Sequence, residues 1–160
     1  MQFEGLKEKT LVIIKPDAIQ RGLVGDITKR FEQKGLKLAG MKMMRLDEVV
    51  LREHYAHIAA KPFYKGVEDF MMSSPVIVCC WEGLDVVKAV RTITGMTKSR
   101  EAEAGSIRGD FAMSVACNVV HTSDSVDAAK AVVARFFSES DLFDYDKSDY
   151  MHVYIKDERE

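Results

Sequence analysis

One histidine stands where an apolar run breaks into hydroxyl and acid residues: "CNVVHTSDS", Cys117 to Ser125. An unperturbed imidazole titrates near pH 6.5, so His121 offers a neutral, nucleophilic nitrogen at physiological pH. Ser123, Asp124 and Ser125 are residue types that begin helices. The free N–H groups and positive dipole end of such a start attract anions such as phosphate. Asn118 is a short amide able to bind a hydroxyl or to orient the ring. His121 is therefore a nucleophile candidate with an anion site beside it, competing with a metal ligand and an inert surface residue. Three cations could serve the same chemistry. Lys15 ends an apolar run just before Pro16-Asp17, Arg91 falls in a helical segment, and Arg108 closes a polar stretch. They matter only if the fold makes them converge.

Other signals fail. No G-x-x-x-x-G-K-[ST] is present, and "GMTKS" (Gly95–Ser99) only faintly resembles that phosphate loop. "GLVG" (Gly22–Gly25) has the bare form of an RNA clamp in a chain without basic excess. His54 and His57 share a helix face, yet no cysteine or carboxylate pattern completes a zinc site, so both read as helix-surface or packing residues. His152 reads as solvent-facing. Met41, Met43, Met44, Met71 and Met72 read as core filler.

The elements that must position His121 follow from periodicity. "KTLVIIK" (Lys9–Lys15) reads as a buried strand and "GLVGDITKRFEQKG" as a helix stopped by Gly35. "LKLAGMKMMRL" reads as a second strand, "DEVVLREHYAHIAA" and "FYKGVEDFMMSS" as helices, "PVIVCCWEG" as a third strand and "LDVVKAVRTITG" as a helix. Gly95 to Asp110 reads as a long loop, of the kind that is usually functional. "FAMSVACNVV" reads as a fourth strand and "SDSVDAAKAVVARFF" as a helix. The tail alternates Met151, Val153 and Ile155 with polar or aromatic residues, which suits a half-buried strand able to pair with a sheet edge or another subunit. The order implies an α+β fold (an α/β sandwich), ferredoxin-like βαββαβ, with an antiparallel sheet and helices packed on one face.

At 160 residues, 47% hydrophobic and 30% charged, the chain reads as one domain, long enough to bury roughly two-thirds of its unfolded surface. A formal charge of −2 argues against nucleic-acid binding by bulk electrostatics. Cys79, Cys80 and Cys117 make an odd number, with the vicinal pair inside a strand, so reduced thiols and a cytoplasmic setting are expected. No apolar run approaches membrane-spanning length, and "MQFEGLKEKT" lacks the apolar core of a signal peptide.

Five stretches taken together resemble the nucleoside diphosphate kinase family: "TLVIIKPDAIQRGLVGDITKRFEQKGLKLAG", "LREHYAHIAAKPFY", "SSPVIVCCWEGLDVVKAVRTITG", "GSIRGDFAMSV" and "NVVHTSDS". The resemblance runs from about Thr10 to Phe137 and implies a single kinase domain over 1–160, with a C-terminal extension from about 139 to 160. It implies ping-pong transfer of the γ-phosphoryl group of a nucleoside triphosphate such as ATP, through a phosphohistidine at His121, to a nucleoside diphosphate such as GDP. It further implies that Lys15, Arg91, Thr97 and Arg108 hold phosphates and that the Tyr55 hydroxyl lies near the transferred group. By the same resemblance Phe63 stacks on the base and Val115 closes the other side. Asn118 binds the ribose 3′-hydroxyl beside Lys15, Ser123 supports the histidine, and Asp124 helps hold Mg²⁺ through water. The Gly95–Asp110 loop would line the slot and contact neighbouring subunits of a homo-oligomer, a hexamer or a tetramer. No membrane partner and no specific nucleic acid are implied.

Three positions depart from the family pattern. Val132 stands where a glutamate usually holds the nucleophile's other ring nitrogen, with Asp127 or a backbone carbonyl open as substitutes. Thr122 replaces a glycine, and Lys61 replaces an arginine. Val132 motivates the alternative of a nucleotide-binding regulatory module with weak or lost turnover. A ferredoxin-like RNA-binding domain is the more distant alternative, lacking an aromatic strand motif and positive charge.

Overall fold

The run KTLVII, Lys9–Ile14, forms the first strand, β1, and every residue after Lys9 is buried. A strand apolar on both sides must be covered on both sides. That requirement organises residues 6–159, the part that the computed structural model describes. Leu11 and Ile13 face one core with Leu51, Met71, Val133 and Phe136. Val12 and Ile14 face a second core with Ile27, Phe31, Trp81 and Val90.

After β1 come α1 (Pro16–Gln20), α2 (Val24–Gln33), β2 (Lys37–Met44), α3 (Glu48–His54), α4 (Tyr64–Met72), β3 (Val76–Glu82) and α5 (Val86–Thr94). Then follow α6 (Ile107–Phe111), β4 (Val120–Thr122), α7 (Val126–Phe136), α8 (Tyr150–Val153) and α9 (Lys156–Arg159), with 3₁₀ turns at Ser99–Glu101 and Glu139–Asp141. The sheet order is β2-β3-β1-β4, every pair antiparallel, which is the ferredoxin-like α+β arrangement expected. The expectation of helices on one face is corrected. Residues of α3, α4 and α7 fill the first core, and residues of α1, α2, α5 and α6 fill the second.

The fourth strand is also shorter than "FAMSVACNVV" suggests: only Val120–Thr122 pairs, against Val12 to Ile14. The cause is local. Val119 sits at φ +63°, a left-handed backbone that a β-branched residue adopts only when its surroundings force it. Its N–H donates to Asp17 Oδ2 at 3.1 Å, and its carbonyl accepts from the Lys15 N–H at 2.9 Å. Upstream, the Ser99 hydroxyl donates to the Ser114 carbonyl at 2.7 Å, so this segment is tied to the loop before it. That loop is itself partly helical, through Ser99–Glu101 and α6.

The tail is helical where alternation suggested a strand. Tyr150 and Tyr154, one helical turn apart, pack edge-on at 5.3 Å, and Tyr150 is only 4% exposed. The Tyr154 hydroxyl accepts from the Leu84 N–H at 3.4 Å. The segment before α8 runs along the edge of β2. Phe143 N–H donates to the Ala39 carbonyl at 2.8 Å, and the Tyr145 hydroxyl donates to the Leu38 carbonyl at 2.9 Å. Buried Lys37 joins them, reaching Asp144 at 2.8 Å and Glu82 at 3.0 Å. Residues 1–5, the start of "MQFEGLKEKT", lie outside the described residues.

Burying one large side chain contributes roughly 1.5–3 kcal/mol, and each kcal/mol moves Tm by about 2–4 °C in a chain of this size. Truncation after Asp144, which removes Tyr150 and Tyr154, is therefore expected to lower Tm by about 5 °C or more in scanning calorimetry. An unchanged Tm would show that the tail contributes nothing to the fold.

Candidate functional site

The register of β1 against β4 sets His121 opposite Ile13, so its ring lies on the sheet face covered by α3 and α7. His121 is thus a strand residue, not part of a helix start. Helix α7 begins later, where Ser125 caps it by accepting from the Ala128 N–H at 3.2 Å. Between them Ser123 is 5% exposed with no partner for its hydroxyl among the described residues, while Asp124 is exposed.

The same strand junction gathers the cations. Lys15, next after β1, is 9% exposed and donates from Nζ to Asn118 Oδ1 at 2.6 Å. Asn118 Nδ2 in turn donates to the Thr97 carbonyl at 3.1 Å. Arg108, on α6 and 3% exposed, donates to the carbonyls of Gly95 at 2.7 Å, Asn118 at 3.3 Å and Val120 at 2.7 Å. Arg91, on α5, reaches the Thr122 hydroxyl at 3.5 Å. These hydrogen bonds all end on neutral oxygens. Burial and the neighbouring Arg108 therefore hold Lys15 down at about 8, and burial and Arg91 lower Arg108 to about 10.

His121 faces the same field. Burial first, then His54, Lys15, Arg108 and His57, hold it well below the usual imidazole range, which keeps the ring neutral. Burial pushes the Tyr55 phenol up to about 12, so its hydroxyl keeps its proton as a donor, and its ring centre is 5.8 Å from that of His121.

A cavity of about 980 Å³ brings together every site residue named from the sequence. His121, Ser123, Asp124 and Asn118 line it with Tyr55, the cations Lys15, Arg91 and Arg108, and Thr97. Phe63 and Val115, 59% and 55% exposed, are apolar side chains left open on its wall. Val132 lines it as well, whereas Lys61 does not. Thr122 needs no glycine backbone, because its φ is not positive and its hydroxyl meets Arg91. Asp127, the suggested stand-in for the missing carboxylate, is exposed on α7 and absent from the cavity wall.

His54 was missed. It is 8% exposed, and its ring centre is 4.4 Å from that of His121, in an edge-to-face arrangement with 71° between planes. Its spacing from His121 in the chain carries no signal. Only its adjacency to Tyr55 could have pointed to it.

Comparisons with known proteins agree in one direction. A family model described as nucleoside diphosphate kinase matches residues 8–142. The chain is 52% identical over 151 residues to a nucleoside diphosphate kinase of Parabacteroides distasonis, covering 94% of this chain and 99% of that protein. It is 46% identical over 138 residues to nucleoside diphosphate kinase A of Homo sapiens, covering 86% and 91%. A solved structure of a halophilic nucleoside diphosphate kinase from Halobacterium salinarum in complex with CDP matches with a TM-score of 0.90 at 43% identity, covering 92% of this chain and 99% of that one.

Burial, Arg135, His57 and Lys15 push His54 down to about 4, against a slight raising effect of Glu53. The unfolded chain takes up this proton near pH 6.5 and the folded chain does not. The stability from neutral His54 is therefore complete above that pH and is lost as pH falls toward about 4. His121 adds to the same slope. Urea unfolding across this window is expected to show an acid-side loss to which His54 contributes roughly 3 kcal/mol. The His54→Gln variant should flatten that loss, and an unchanged slope would contradict the assignment.

Proposed function

The chain belongs to the nucleoside diphosphate kinase family, and from that premise we propose that its phosphoryl transfer between nucleotides runs through a phosphohistidine at His121. The observation that carries this reading is a neutral imidazole opening into one cavity with buried Lys15, Arg108 and the amide of Asn118. The lone pair of a His121 ring nitrogen attacks the γ-phosphorus of a nucleoside triphosphate in line. The new P–N bond forms as the P–O bond to the β-phosphate breaks, and that electron pair leaves on the departing diphosphate. A terminal phosphate oxygen of a second nucleoside diphosphate then attacks the same phosphorus, and the P–N bond breaks to restore the imidazole.

Phosphoryl transfer asks for position and charge stabilisation more than for proton movement. Lys15, Arg91 and Arg108 supply positive charge, with Thr97 beside them and the Tyr55 hydroxyl as donor near the transferred group. Asn118 and Lys15 take the ribose 3′-hydroxyl. Phe63 and Val115 hold the base between them, and base–aromatic stacking worth about 1–3 kcal/mol accepts any base. Ser123, whose buried hydroxyl lacks a partner among the described residues, supports the histidine. Mg²⁺ suits this donor set, because Asp124 puts a carboxylate on the cavity wall and Mg²⁺ prefers one or two carboxylates plus substrate phosphates and water. Asp124 would hold it. When bound, the ion neutralises phosphate charge.

The proposal takes residues 1–160 as one kinase domain with an extension from about 139. It takes the cytoplasm as its setting, consistent with three free cysteines. Assembly as a hexamer or tetramer is part of the same reading. It is supported by Met41 and Met43, 43% and 59% exposed on edge strand β2. A binding module without turnover is not favoured, because the relatives are kinases.

Brief mixing with Mg²⁺-ATP is expected to add one acid-labile phosphoryl group to the intact protein, discharged as GTP by a GDP chase. The His121→Ala variant should show no adduct and lose activity by about 10³-fold or more. An adduct that persists in that variant would refute His121 as the acceptor.

A further inference from the structure

Helix α7 turns Ala128, Ala131, Val132 and Arg135 toward the cavity, so the face behind the nucleophile carries a cation and no carboxylate. Among the described residues, His121 meets its neighbours there through ring contacts, not hydrogen bonds. Arg135 does not point at His121. Its Nη1 lies 3.3 Å from Nδ1 of His54, and its Nε donates to Glu53 Oε1 at 2.9 Å. A guanidinium has donors only, so the His54 nitrogen that faces it must carry the lone pair, and the ring proton must sit on Nε2. That nitrogen is buried and has no hydrogen-bond partner among the described residues. The His54 ring packs at steep angles against His121, Tyr55 and Phe136, with centres 4.4, 4.7 and 5.5 Å away.

We propose that Glu53, Arg135 and His54 form a positioning chain for His121. Arg135 fixes the neutral tautomer of His54, and the edge-to-face contact of the two imidazoles sets the plane of the nucleophile. This does by ring packing what an in-plane hydrogen bond would otherwise do. Rings prefer edge-to-face contact because a positive edge meets a negative face. Both nitrogens of His121 stay untied, one for phosphorus and one for its proton. Glu53, 64% exposed, holds the guanidinium from the solvent side. The chain explains how a helix bearing Val132 can still present an ordered nucleophile. His54 and Arg135 are positioning residues and touch no substrate in this account, which rests on His121 as the phosphoryl acceptor.

The test uses the full chain and its Arg135→Leu and Arg135→Lys variants. Side-chain ¹⁵N NMR reads the His54 tautomer, single-turnover mixing with Mg²⁺-ATP reads phosphohistidine formation, and ADP titration reads binding. In Arg135→Leu the Nε2–H signature of His54 is expected to give way to mixed tautomers. Phosphohistidine formation should slow by about tenfold or more, with the Kd for ADP changed by less than about threefold. Arg135→Lys, which keeps a donor, should recover most of the rate. An unchanged tautomer, or a rate within about twofold of the parent, overturns the proposal. If Arg135→Leu does not fold, Glu53→Gln at the exposed end carries the test. A slowing of about two- to fivefold with unchanged binding supports the chain, and no slowing overturns it. The parent protein separates the two levels. Absence of its own phosphohistidine sinks the functional reading and this chain with it, whereas a normal adduct in parent and variants alike sinks only the chain.

Discussion

Lys15 and Arg108 are cations buried to 9% and 3% exposure whose hydrogen bonds end on amide and carbonyl oxygens. Removing an ion from water costs several kcal/mol even after relaxation, and neutral dipoles recover only part of it. The fold holds that cost because its cores fix the surrounding backbone. On the proposed reading, the phosphates of a nucleotide would supply the missing negative charge. Burial lowers His121 first and His54 next, and these two cations add to the same shift.

The backbone that holds them is specific. Val119 in a left-handed conformation turns the chain between Asn118 and His121, and the Asp17 carboxylate and the Lys15 N–H fasten it from the start of α1. One crossing of β1 and β4 thereby delivers Lys15, Asn118 and His121 to one wall. Arg108 locks the arrangement from α6 by binding carbonyls on both sides of Val119. Strain of this kind persists only where many contacts over-determine it.

Much of this was legible in the sequence, and the exceptions have physical causes. Apolar runs located β1 and β3, and helical spacing located α2, α5 and α7. Helices on both faces were foreshadowed by β1 being apolar at consecutive positions, a pattern that one-sided packing does not require. The fourth strand was overread because propensity cannot see a positive φ at a valine. The tail was misread because two tyrosines at helical spacing outweighed a three-residue alternation. The resemblance supplied the site residues, and the fold gathers them. His54 was hidden because its meaning depends on a partner in a distant strand. Arg135 was hidden because a surface-type residue on an amphipathic helix carries no local mark.

The most direct measurement is the NMR titration of the Lys15 side chain in the nucleotide-free protein and again with a saturating, non-hydrolysable Mg²⁺–nucleoside triphosphate. The account predicts a midpoint of about 8 without nucleotide, returning to the ordinary lysine value of 10.5 or above once phosphates supply the missing anion. A midpoint at 10.5 in the nucleotide-free protein, or one that nucleotide leaves unmoved, would contradict a site built on buried, undercompensated cations.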